Sequence, residues 1–126
     1  MNNEEFINTL VDVFPEIKDD VLDEDNDGLI SLQIGYFKKF VQNAIDGDDL
    51  ITVKKCFQFI NDNIEKVEYN VENSIYLSFL NKLSFDKNPK AEKLLPKKLL
   101  SAKNDLDNYD ISKKTNVKLN KFLDSL

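Results

Sequence analysis

Apolar residues along this chain recur at steps of three, four and seven, which is the repeat of an amphipathic helix. The first such stripe is formed by Phe6, Ile7, Leu10, Val11 and Phe14, and similar stripes follow over residues 34–45, 53–64 and 71–83. No segment shows the alternation of a half-buried strand, and three glycines and three prolines are too few for a many-stranded sandwich or barrel. The sequence therefore predicts an all-α fold: one domain over residues 1–126, a compact bundle of five to six helices packed as antiparallel hairpins.

Capping and turn residues predict where the helices begin and end. Asn3 is suited to cap the first helix and Ser31 the second, and Pro15 ends or kinks the first. Gly47 is expected to supply a left-handed exit from the second helix. Ser112 is predicted to cap a last helix whose apolar residues are Leu119, Phe122, Leu123 and Leu126.

Charge is distributed unevenly along the chain. Residues 1–81 carry 17 acids against 6 lysines, whereas residues 82–126 carry 6 acids against 11 lysines. Such a dipolar, acidic molecule is suited to electrostatic recognition of a partner. The lysine-rich part has two interpretations, a nucleic-acid patch or a solvated helix face that offsets the acids, and we favour the second. The absence of arginine and a pI near 4.7 also argue against a nucleic-acid partner.

Residues suited to catalysis are scarce. The chain has no histidine to activate the lone Cys56, and the helical spacing of this residue from its apolar neighbours predicts a buried structural thiol. Three isolated glycines form no phosphate-binding loop, and among 23 acids no spacing singles out a carboxylate pair for glycoside hydrolysis. The sequence predicts a protein that is not an enzyme and has no cofactor.

The compartment follows from what the chain lacks. It has no apolar run long enough for a membrane span and no basic-then-apolar N-terminus like that of a signal peptide. A single cysteine fits a reducing compartment. We expect a cytoplasmic protein without membrane contact, monomeric on its own.

One segment matches the first half of an EF-hand calcium loop. Asp23, Asp25 and Asp27 occupy loop positions 1, 3 and 5, and Gly28 occupies position 6. Position 12, which should hold a bidentate Glu or Asp, is Ile34. Any calcium binding at these three aspartates should therefore be weak, nearer the millimolar range. The alternative, which we favour over a metal site, is a solvated loop whose side chains cap their own backbone.

Acidic side chains and one tyrosine are the candidate partner-binding residues. A second cluster, Asp46, Asp48 and Asp49, lies at the far end of the second predicted helix from the first, so the two cannot share an ion but can belong to one acidic surface. Tyrosine beside carboxylates is typical of interfaces. The candidate residues are Asp19, Asp20, Asp23, Asp25, Asp27, Tyr36, Asp46, Asp48 and Asp49.

Four stretches resemble a family of small, acidic, all-helical bacterial proteins of unknown activity. The stretches are residues 29–40, Asp46-Gly47-Asp48-Asp49, Lys54-Lys55-Cys56-Phe57-Gln58-Phe59-Ile60 and residues 73–80, and the resemblance covers roughly residues 4–85. Some members sit in polymorphic-toxin and contact-dependent-inhibition immunity loci. The resemblance implies an immunity protein that neutralises a cognate toxin, and a basic toxin domain would be occluded by the acidic surface. The alternative function is a calcium-binding or calcium-stabilised helical module.

Overall fold

Helices follow one another through most of the computed structural model, which describes residues 1–108. The α-helices are α1 (Asn3–Val13), α2 (Lys18–Val21), α3 (Ile30–Asp46), α4 (Leu50–Asn63), α5 (Tyr69–Ser74) and α6, which starts at residue 97 and includes residue 108. Short 3-10 helices lie at Pro15–Ile17, Glu24–Asn26, Leu80–Lys82 and Pro89–Leu94, and a π-helical segment lies at Ile75–Phe79. No strand occurs in residues 1–108. The all-α prediction is confirmed, with slightly more helices than the five to six predicted. The last predicted helix, after Ser112, lies outside the described residues.

The core is built around buried phenylalanine rings that four segments of the chain contribute. Phe37 of α3 stacks on Phe79 with ring centroids 5.1 Å apart, and it also contacts Phe14 at 5.5 Å and Phe59 of α4 at 6.3 Å. Phe6 of α1 reaches the same cluster through Phe59. The stripes that the sequence predicted as inward-facing are buried here, so α3 and α4 pack on α1 and on the segment after α5 through those residues. Within residues 1–108, no helix is both long and apolar enough to cross a membrane.

The π-helical segment Ile75–Phe79 continues α5 and is not apparent from the sequence. Val71, Ile75 and Phe79 are spaced by four, and each such step overshoots one α-helical turn by about 40°. A wider turn reduces this drift, so all three side chains stay on the buried face.

Two of the predicted capping residues are wrong by one or two positions. Asn2, not Asn3, caps α1: its side chain accepts from the Glu5 N–H at 2.9 Å, and the Glu5 carboxylate accepts from the Asn2 N–H. Both asparagines can cap, but only Asn2 has a glutamate three residues later to complete a capping box. Ser31 lies inside α3 and its hydroxyl is 3.2 Å from the hydroxyl of Ser74 on α5.

The left-handed residue of the turn between α3 and α4 is also not the one predicted. Gly47 has a φ of −86°, and Asp48 takes the left-handed conformation with a φ of +58°. Aspartate tolerates this region better than most residues because its short side chain can bond locally. Asp49, the next residue, caps α4, since its side chain accepts from the Thr52 N–H at 3.3 Å.

Candidate functional site

Residues 19–27, here called the acidic loop, run from α2 towards the start of α3 and place six carboxylates on the surface. They belong to Asp19, Asp20, Asp23, Glu24, Asp25 and Asp27, and all are exposed. The backbone beneath them is fixed by Asn26, which is buried and donates to the Asp20 carbonyl at 2.8 Å. Within residues 1–108, none of these carboxylates lies within 4 Å of a lysine nitrogen. Their charge is therefore held in place and is not neutralised by the described part of the chain.

The second predicted cluster, Asp46, Asp48 and Asp49, is in a different situation. The Lys87 nitrogen lies 4.0 Å from the Asp46 carboxylate and the Lys90 nitrogen 3.5 Å from that of Asp48. These lysines come from the lysine-rich part of the sequence, which here supports the interpretation of a charge-offsetting face. α3 has 17 residues, about 25 Å, so the two acidic clusters lie far apart along it.

Asn88 connects this second cluster to the end of α3 through hydrogen bonds. Its buried side chain donates to the Ile45 carbonyl at 3.1 Å and to the Asp48 carboxylate at 2.8 Å. The hydrogen bond from Asn88, followed by the charge of Lys90, lowers the pKa of Asp48 below its usual value. Asp48 and Asp49 are thus used by the chain itself, for a turn and for a cap.

Tyr36 belongs to an exposed apolar strip that begins at the acidic loop. Leu29 is 50% exposed, Leu32 53% and Tyr36 37%, and their spacing of three and four places them along one outer face of α3. Leu22, also exposed, lies within the acidic loop, directly before Asp23. We call these four residues the apolar strip. The sequence prediction included only Tyr36. The signal for Leu29, which directly precedes α3, and for Leu32 was their spacing from Tyr36, on the side of the helix away from the core stripe.

The segment that matches the calcium loop folds as a turn in which its own side chains bond to its backbone. Asp23 accepts from the Asp25 N–H at 2.9 Å, and Gly28 has the positive φ of +73° that the sixth loop position requires. Ile34, at the twelfth position, is buried in the core and offers no oxygen. The described residues contain no group of three or more His, Cys, Asp or Glu residues that could hold a metal ion. The hydrogen bond from the Asp25 N–H to the Asp23 carboxylate supports the interpretation of a solvated loop whose side chains cap their own backbone.

Calcium should consequently have little effect on thermal stability. If the loop bound calcium with a dissociation constant of about 1 mM, then 1 mM free calcium would raise the free energy of unfolding by about 0.4 kcal/mol. For a domain of this size, that raises the Tm by at most about 2 °C. Melting curves followed by circular dichroism in 1 mM calcium and in excess chelator would measure the difference. A larger rise with calcium, absent with magnesium, would restore the calcium-module hypothesis.

Cys56 lies on the buried face of α4 and is shielded from solvent. Desolvation raises the pKa of its thiol to about 12, so the thiolate that reacts as a nucleophile is almost absent at neutral pH. This environment is that of a structural thiol, as the sequence predicted.

Comparison with known proteins gives one match. The family profile described as Domain of unknown function (DUF7674) matches residues 7–109, which is more than half of the chain. No curated protein and no solved structure matched.

Proposed function

Because the chain belongs to the DUF7674 family, whose description names no activity, we propose a function from its surface: it binds a basic protein partner through the acidic loop and the apolar strip. The observation that carries this proposal is the contrast between the two acidic clusters. One is paired with lysines of the same chain, while the other has no such lysine among residues 1–108. Unpaired surface carboxylates repel one another, and a basic partner would relieve that repulsion.

The apolar strip would supply the short-range apolar contacts of the interface. Interfaces combine a core of apolar and aromatic side chains with a polar or charged rim. Here Leu29, Leu32 and Tyr36 lie along one helix face and the carboxylates of residues 19–27 lie beside its N-terminal end. The carboxylates would steer the partner during encounter, and the strip would hold it after contact.

The partner we propose is a toxin domain, and the activity is that of an immunity protein acting in the cytoplasm. Domains that bind or cut nucleic acid need cationic surfaces, which an acidic protein can occlude. Neutralisation would require only binding, so the proposal assigns this chain no catalysis and no cofactor. The exposed acidic loop and the inert Cys56 are both compatible with that role.

The test is binding to the product of the gene immediately upstream, with association rates measured at low and moderate salt. Replacing Asp23, Asp25 and Asp27 with Asn should lower the association rate about tenfold at low salt. The difference should shrink as salt rises, because screening weakens the steering. Asparagine retains the capping oxygen of Asp23, so the loop should stay folded.

A matched variant separates local steering from net charge. The control carries Asp62→Asn, Glu68→Gln and Asp105→Asn, which remove an equal number of negative charges from exposed positions on α4, before α5 and on α6. This control should associate nearly as fast as the parent chain. Equal losses in the two variants would show that net charge alone matters, and no complex at either salt concentration would overturn the proposed function.

A further inference from the structure

A cleft separates the first turns of α1 from the acidic loop and has a volume of about 480 Å³. That lies within the range of roughly 300–1,000 Å³ typical of sites for small ligands. Glu4 of α1 and Asp27 of the acidic loop both line it, with Gly28 beside Asp27. The cleft thus lies between the acidic loop and α1, and its volume is large enough to admit a long side chain.

Gln33 shows which chemistry the cleft favours. Its side chain is only 6% exposed, and its Nε2 donates to the Val21 carbonyl at 3.3 Å. This hydrogen bond fixes the orientation of the Gln33 amide and leaves its Oε1 available to a different partner. No group among residues 1–108 donates a hydrogen bond to the Gln33 Oε1. Every side-chain oxygen of these residues that is shut off from solvent has a partner, so the unpartnered Oε1 must be accessible to solvent. Since Gln33 lines the cleft, Oε1 is left to accept a hydrogen bond there.

Acceptors outnumber donors among the polar side chains that line the cleft. The carboxylates of Glu4 and Asp27 accept only, and the free atom of Gln33 is its oxygen, whereas the amides of Asn3 and Asn8 can donate as well as accept. Ile7 and Leu22 add apolar lining. A ligand that fits this set has several N–H donors, positive charge and an aliphatic stem. A metal ion fits less well, because the described residues place no three metal-ligating side chains together.

We propose that this cleft binds one arginine side chain of the basic partner. The inference rests on the proposed function and names the contact that would fix the partner on the acidic loop. A guanidinium presents five N–H donors in a planar fork, enough to bond two carboxylates and an amide oxygen at once, whereas an ammonium presents three from a single point. The methylene stem would lie against Ile7 and Leu22. The acidic loop would thus provide orientation as well as charge.

The experiment is a titration of the isolated protein with Nα-acetyl-L-arginine amide, in buffer whose ionic strength is held constant with sodium chloride. Side-chain ¹⁵N–¹H signals of Gln33 report on the cleft directly. We expect saturable shifts of these signals and weaker binding of the corresponding lysine compound. Glu4→Gln and Asp27→Asn should each raise the dissociation constant two- to fivefold, as expected for exposed charge pairs. Glu24→Gln, exposed in the same loop but outside the cleft lining, should leave it unchanged.

Failure of this inference can be distinguished from failure of the proposed function. Linear shifts spread over the acidic surface, or an equal effect of Glu24→Gln, would show counter-ion attraction without a site and would overturn the arginine cleft. The salt-dependent binding of the protein partner is measured separately. If that binding persists while the arginine probe fails at Gln33, the acidic loop still binds the partner and the cleft is not its anchor.

Discussion

Phe37→Ala is expected to lower the free energy of unfolding by about 3–5 kcal/mol, the range for removing a fully buried phenylalanine ring. Phe37 is 1% exposed and contacts rings from the end of α1, from α4 and from the π-helical segment. Aromatic pairs add roughly 0.5–1.5 kcal/mol beyond burial, which places the loss toward the upper end of the range. Urea unfolding followed by circular dichroism measures it.

A domain of this size is stabilised by roughly 5–15 kcal/mol, so the variant should be marginal at 37 °C. Phe37→Leu refills most of the volume and should lose clearly less stability, which keeps the test informative if the alanine variant fails to fold. A loss below about 1 kcal/mol in Phe37→Ala would contradict the placement of Phe37 at the junction of these segments.

The core around Phe37 was predictable because burial leaves a periodic trace in the sequence. Phe6, Phe14, Phe37 and Phe79 lie on stripes whose steps of three and four place them on one helix face, and Phe59 lies beside such a stripe. The exact ends of the helices were harder to predict, since two neighbouring residues can often serve equally well as the cap or as the left-handed residue of a turn. Asn2 and Asn3 can both cap, and both Gly47 and Asp48 can take a positive φ, so the outcome depends on partners further along the chain.

The difference between the two acidic clusters could not be predicted, because it depends on contacts between residues about forty positions apart. Asn88 and Lys90 reach Asp48 only after the chain has turned through α4 and α5. The sequence therefore grouped Asp46, Asp48 and Asp49 with the acidic loop as one surface. Helical periodicity records which face is buried, but it does not record which surface charges meet.

Tyr36 is adjacent to Phe37 in the chain, and its replacement should have the opposite pattern of effects. The side chain of Tyr36 is 37% exposed on the outer face of α3, while that of Phe37 is in the core. Tyr36→Ala should change the free energy of unfolding by less than about 1 kcal/mol, as surface substitutions usually do. If the apolar strip anchors the partner, the same change should weaken binding by about 2 kcal/mol, or roughly thirtyfold.

That loss should appear in the dissociation rate and should persist at moderate salt, because an apolar contact acts after encounter and is not screened. Tyr36→Phe keeps the ring and should bind nearly as the parent does. Ile51→Ala removes an apolar side chain from α4 that lies outside the strip and is more exposed than Tyr36, at 86% against 37%, and it should have no effect. Surface plasmon resonance with the upstream gene product separates the two rates. A slower association with an unchanged dissociation rate would show that Tyr36 lies at the rim, and the strip would then not be the centre of the interface.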